Sequence, residues 1–63
     1  MIQLECIYQG MRRFKVGRSV YRVELTGYET FAIYRELADA NLRVGTVQAS
    51  EYQTALNDYL EGN

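Results

Sequence analysis

The chain contains no histidine, proline or tryptophan, and it has a single cysteine among 63 residues. Without histidine it lacks both the usual general base near neutral pH and the commonest metal ligand. Cys6 alone cannot form an internal disulfide or supply the four ligands of a structural zinc site, so we expect a small core residue there. The five glycines are scattered singly and form no phosphate-binding loop. We therefore expect neither catalysis nor a bound metal or cofactor.

The sequence also lacks an apolar run long enough to span a bilayer, and its N-terminus does not resemble a secretory signal. Together with the lone cysteine, these absences predict a cytoplasmic protein that does not associate with membranes. The length allows one domain, residues 1–63, in which only about 60% of the unfolded surface becomes buried. A hydrophobic content of 48% nevertheless argues against intrinsic disorder.

Alternating apolar and polar residues predict three antiparallel strands at residues 2–8, 12–16 and 19–25. The intervening turns contain Gly10 and Gly17, which tolerate the backbone conformations of tight hairpins. This three-stranded meander fills the first 25 residues. Within each strand, the side chains expected to share the inner face are Ile2, Leu4, Cys6 and Tyr8, then Phe14 and Val16, then Tyr21, Val23 and Leu25.

Two helices are predicted after the meander. A capping-box pattern from Thr26 to Glu29 predicts a first helix that extends to about residue 40, and the pattern from Ser50 to Gln53 predicts a second one. Residues 42–47 contain three β-branched residues and one glycine. They favour a short fourth strand, but the sequence alone does not decide whether this strand forms. The predicted fold class is α+β, with a three- to four-stranded antiparallel sheet and two helices packed on one face.

Five of the seven basic residues occur within eleven positions. After them the sign reverses, with seven acids against two arginines from residue 24 onward, so the net charge of −1 conceals a basic segment and an acidic remainder. Such an asymmetry can attract an anionic partner, and guanidinium groups suit phosphate because their planar fork donates two parallel hydrogen bonds. The candidate binding residues are Arg12, Arg13, Lys15, Arg18 and Arg22.

The basic segment has three interpretations that the sequence leaves open. Its side chains can be solvated or paired across strands with Glu5 or Glu24, they can contact an acidic protein, or they can bind nucleic acid. For nucleic acid, a β-ribbon fits the DNA major groove, and Tyr8 or Tyr28 can stack on an unpaired base. The isoelectric point near 5.2 is far from the basic values typical of nucleic-acid-binding domains.

The second predicted helix has an apolar face that contains Tyr52, Leu56 and Tyr59. The simplest interpretation is that this face packs on the sheet. Tyrosine is also enriched at protein interfaces, and a domain of this size has a marginal core. These three residues are therefore also the candidate interface of a homo-oligomer.

The segment from Arg13 to Val23, which reads RFKVGRSVYRV, resembles a pattern in very small proteins of tailed phages and prophages. Those proteins begin with an apolar strand, continue with a hairpin of the form basic-Phe-x-x-Gly-x-x-Tyr-x-Val, and end in an acid-rich helix. The resemblance covers residues 1–44. This chain lacks their proline near the turn and adds a second capped helix. The resemblance implies a phage accessory, morphogenesis or host-interaction protein that acts by binding in the host cytoplasm, and it transfers no site residues.

The sequence thus yields three hypotheses. The first is a non-catalytic binding module, of phage or prophage type, that contacts a protein partner through the basic hairpin. The second is nucleic-acid binding through the same hairpin. The third is a structural homo-oligomer that uses the tyrosine-rich helix face.

Overall fold

The computed structural model describes residues 1–62 as a five-stranded sheet followed by one helix. Asn63, which the predicted domain bounds include, lies outside the described residues. The elements in chain order are β1 (Ile2–Tyr8), β2 (Met11–Val16), β3 (Ser19–Gly27), β4 (Thr30–Glu36), β5 (Asn41–Gln48) and α1 (Tyr52–Gly62). Each strand pairs antiparallel with its chain neighbour, so the spatial order is also β1-β2-β3-β4-β5.

Short turns produce this meander, because two-residue loops keep successive strands adjacent. Gly10 and Gly17 have positive φ angles of 72° and 61° in the first two turns, where glycine meets no steric penalty. In the third turn, between β3 and β4, Glu29 has a φ of 47°, a conformation that non-glycine residues rarely adopt. The three strands predicted in the first 25 residues are confirmed, and so is the strand over 42–47, which forms β5.

The core lies between α1 and one side of the sheet, which we call the helix face. Phe14, Val23 and Ile33 project from β2, β3 and β4 on this side and are buried. Ala55 and Leu56 of α1 pack against them with no exposed surface. The helix packs over β3, β4 and β5. The opposite side of the sheet, the open face, has none of the described elements packed on it.

Aromatic contacts fix the helix on the sheet. Tyr52 meets Phe31 edge to face at 4.9 Å between ring centroids, and Tyr59 meets Tyr21 at 6.2 Å. Gly45 of β5 lies beneath Tyr59, and a Cβ at this position would stand 3.2 Å from the Tyr59 ring. The missing side chain therefore lets the helix approach β5. The second predicted helix is confirmed, beginning at Tyr52.

The first predicted helix, from residue 26 to about 40, is wrong. Thr26 belongs to β3, Glu29 occupies a turn, and Thr30–Glu36 forms β4 in the middle of the sheet. The sequence of β4, TFAIYRE, has apolar residues on both faces, because Phe31 and Ile33 face the helix while Ala32 is buried on the open face. A strand that is apolar on both sides lacks the alternation of apolar and polar residues that predicted β1, β2 and β3. The correct architecture has five strands and one helix among the described residues.

The predicted inner face of β1 is also wrong in part. A bulge at Glu5 shifts the pairing, so Leu4 opposes Phe14 of β2 while Cys6 opposes Arg13. Directly paired residues share a face, so Leu4 lies on the helix face and Cys6 on the open face. Cys6 is half-buried beside an arginine. One extra residue in a strand reverses the faces beyond it, and the sequence carries no glycine to mark that position.

Candidate docking surface on the open face

A single row of side chains crosses the open face from one edge of the sheet to the other. The registers pair Cys6 with Arg13, Arg13 with Arg22, Arg22 with Tyr34, and Tyr34 with Arg43. Each strand contributes one residue to this line, and directly opposed side chains stand about 5 Å apart. The residues from β2 to β5, three arginines and one tyrosine, therefore form a continuous stripe, which we call the arginine row (Arg13, Arg22, Tyr34 and Arg43).

Glu36 holds two members of the arginine row. The Arg13 guanidinium donates from Nε to Glu36 Oε2 at 2.7 Å and from Nη2 to Oε1 at 2.9 Å. The Arg22 guanidinium donates from Nε to Oε2 at 2.8 Å. Two like charges directly opposed on adjacent strands repel each other, and the shared carboxylate offsets that repulsion. Of the ten N–H donors on these two groups, three are used on Glu36.

The ion pairs shift the pKa values of Glu36 and Arg13. The guanidinium hydrogen bonds, from Arg13 first and then Arg22, lower the pKa of Glu36 to about 2, although partial burial opposes the shift. The pKa of Arg13 is raised by the Glu36 carboxylate, with a smaller contribution from Cys6. Glu36 therefore stays ionised over the whole physiological range.

The open face carries more basic than acidic residues. Four basic residues (Arg13, Lys15, Arg22 and Arg43) and two acids (Glu24 and Glu36) belong to the open face by the strand registers. The helix segment contains Glu51, Asp58 and Glu61 and no basic residue. The open face is thus positive although the chain as a whole carries −1.

The structure separates the five predicted basic residues. Arg13, Lys15 and Arg22 lie together on the open face. Arg12 lies on the helix face, where its guanidinium stacks 4.2 Å above the Tyr52 ring and donates from Nη1 to the Tyr8 carbonyl at 2.8 Å. Arg18 occupies the exposed β2–β3 turn. Three of the five therefore share one surface.

The three residues predicted to form an oligomer interface pack against the sheet of the same chain. Leu56 is fully buried in the core, and Tyr52 and Tyr59 pack beside it against the sheet. An interface formed by this helix face would require α1 to leave the sheet.

Sequence reasoning missed Tyr34, Glu36 and Arg43 as parts of this surface. Tyr34 and Glu36 were assigned to a helix, which separated them from the basic hairpin. The signal available for them was local: Thr30–Glu36 is rich in β-branched and aromatic residues, which favour strands. Once β4 is a strand, the meander brings Tyr34 beside Arg22.

Other kinds of site find no support in residues 1–62. They contain no cluster of three or more Cys, Asp or Glu side chains placed to hold a metal ion. No helix in this range has the length and apolar character needed to cross a membrane. Comparison with known proteins gave no match to a family model, to a curated protein or to a solved structure.

Proposed function

We propose that this protein is a small non-catalytic binding module that docks an acidic segment of a partner protein on its open face. The observation that carries the proposal is the arginine row, which spans the four strands β2 to β5 on the side of the sheet opposite the helix. The resemblance of residues 1–44 to phage proteins adds the hypothesis of an accessory or host-interaction role, although the segment that matches their acid-rich helix contains strand β4 in this chain.

The ion pairs of the row support a carboxylate partner. Glu36 already receives a bidentate hydrogen-bond pair from Arg13, so the local geometry suits a planar carboxylate. Arg43 and Lys15 are exposed and form no ion pair among the described residues. A partner segment that places carboxylates over these two groups gains charge-assisted contacts without displacing Glu36.

Single-stranded nucleic acid is the second candidate, and one observation favours it. Tyr34 lies between Arg22 and Arg43 in the row, an arrangement in which a base can stack on the ring while the flanking arginines meet phosphates. The small excess of positive charge on the face makes it the weaker candidate.

The experiment compares two probes and two variants. The probes are a fluorescent polyglutamate peptide, with polyglutamine as its uncharged control, and a fluorescent oligothymidine strand. The test variant is the double substitution Lys15→Glu and Arg43→Glu. The control is Arg35→Glu, an exposed arginine opposite Tyr21 on the helix face.

We expect the double variant to weaken polyglutamate binding by at least about tenfold, while Arg35→Glu leaves it within about twofold of wild type. Equal losses in both variants would contradict the assignment of the open face. Tighter binding of oligothymidine than of polyglutamate, with a log–log salt slope of about 0.7 per contacted phosphate, would favour the nucleic-acid candidate instead.

A further inference from the structure

The two edge strands, β1 and β5, differ in the features that protect them from pairing with another chain. The described chain pairs β1 only with β2, so its outer backbone N–H and C=O groups face away from the sheet. Natural edge strands are usually protected by charged residues such as lysine, by proline, by a β-bulge or by a covering element. Of these, β1 has only Glu5 and the bulge at that position. It contains no lysine, arginine or proline, and α1 packs over β3–β5. β5, by contrast, lies under the helix and contains Arg43.

Exposed apolar side chains are concentrated along this strand. Leu4 is 48% exposed, Ile7 is 64% exposed and Tyr8 is 55% exposed. Leu4 and Ile7 both lie on the helix face, since they oppose Phe14 and Arg12 of β2. Beside them runs an open groove of about 310 Å³, which Leu4, Phe14 and Tyr52 help to line. Such a cluster on a small domain marks an interaction surface.

The bulge at Glu5 determines which residues of β1 can oppose one another in a pair of two antiparallel copies. In a regular strand, an antiparallel copy brings same-face residues together only when their numbers have the same parity. Because the bulge reverses the faces after Leu4, the antiparallel register that sets Leu4 against Ile7 of a second copy also sets Gln3 against Tyr8. Leu4 and Ile7 then meet on the helix face, and Gln3 and Tyr8 meet on the open face. In this register Glu5 opposes Cys6 of the second copy, so the two Glu5 residues lie diagonally across the two-fold axis.

We propose that β1 pairs antiparallel with β1 of a second copy, which joins two five-stranded sheets into one continuous sheet. A two-fold axis perpendicular to the sheet relates the copies, so both helices lie on the same side. The exposed Leu4 and Ile7 side chains of the two copies then meet in one apolar strip between the helices. The arginine rows also align on the opposite side, although the dimer does not depend on the proposed function.

The test measures self-association of the full chain by sedimentation equilibrium. Wild type is compared with Leu4→Lys, Ile7→Glu and the control Leu42→Lys, which changes an exposed leucine on the other edge strand. All three positions are exposed, so each variant is expected to fold, and far-UV circular dichroism checks this. We expect the two β1 variants to raise the dimer dissociation constant at least about tenfold and the control to leave it unchanged.

Mixing the two β1 variants tests the register itself. In a mixed dimer the introduced lysine of one copy faces the introduced glutamate of the other, while the second Leu4–Ile7 pair stays apolar. We expect the mixture to recover dimerisation that neither variant shows alone. A wild-type chain that stays monomeric up to about 1 mM, the concentration range of very weak association, would overturn the proposal and leave the edge for another protein's strand. Loss of dimer in Leu42→Lys, or no recovery in the mixture, would overturn the interface or its register.

Discussion

At the scale of single residues, Glu36 is the side chain that makes the open face compatible with folding. It accepts hydrogen bonds from two arginines that are directly opposed on β2 and β3. Without it, the two guanidinium charges would repel each other across adjacent strands. The carboxylate thus allows the sheet to carry a dense basic stripe.

The low pKa of Glu36 predicts a specific acid dependence of stability. Its folded pKa, about 2, lies below the ordinary value of 4.5, so its contribution is fully present above pH 4.5 and is lost as the pH falls towards 2. We expect Glu36→Gln to lower the free energy of unfolding at pH 7 by up to about 1 kcal/mol, because solvent screens these partly exposed ion pairs. The difference from wild type should shrink as the pH falls from 5 to 2.

Urea denaturation at pH 7, 4 and 2.5 measures this difference. Glu24→Gln is the matched control, because Glu24 lies on the same face and forms no ion pair among the described residues. A constant difference between Glu36→Gln and wild type across these pH values would argue against the ion-pair assignment.

The residues of the site were only partly predictable from the sequence. Arg13, Lys15 and Arg22 were expected to face outward from a hairpin, and they do lie on the open face. Arg12 was grouped with them because it is adjacent in sequence, whereas strand alternation sends it to the opposite face. Glu36 and Arg43 are distant in sequence, so only the correct strand order could bring them to the row.

At the scale of elements, the β3–β4 hairpin marks the limit of the sequence patterns. Thr26 and Glu29 have the spacing of a capping box, yet Thr26 Oγ1 donates to the Thr30 carbonyl at 3.3 Å across the hairpin. Glu29 occupies a positive φ that glycine usually fills, so the turn has no characteristic residue. The strands with clear alternation and glycine turns were predictable, and this one was not.

A substitution at Glu29 distinguishes a hairpin from a helix by the sign of its effect on the free energy of unfolding. Glu29→Gly removes the steric penalty of a positive φ, and this gain exceeds the entropic cost of glycine in the unfolded chain. We expect the free energy of unfolding to rise by about 0.5 kcal/mol. Glycine in a helix interior would instead lower it by about 1 kcal/mol.

Thermal and urea denaturation of Glu29→Gly give the sign directly. Tyr28→Gly serves as the control, because Tyr28 is the other turn residue, has no positive φ and is almost fully exposed. Its substitution should destabilise the fold by about 0.5–1 kcal/mol. If both variants lost stability equally, this result would contradict a strained backbone conformation at Glu29.

At the scale of the whole molecule, the two-layer fold converts a sequence asymmetry into a spatial one. Three basic residues of the hairpin, Arg13, Lys15 and Arg22, come together with Arg43 on the open face, while the acids that follow residue 50 lie in the helix segment on the other side. A nearly neutral chain therefore presents one surface with a positive charge excess. This arrangement is the basis for the proposed binding function.

The most direct test of this account is a map of amide chemical-shift changes when the polyglutamate peptide is titrated into the labelled protein. We expect the largest changes at Arg13, Lys15, Arg22, Tyr34 and Arg43, and no changes at the residues of α1. Changes concentrated on α1, or no changes at low salt, would contradict the open face as the docking surface.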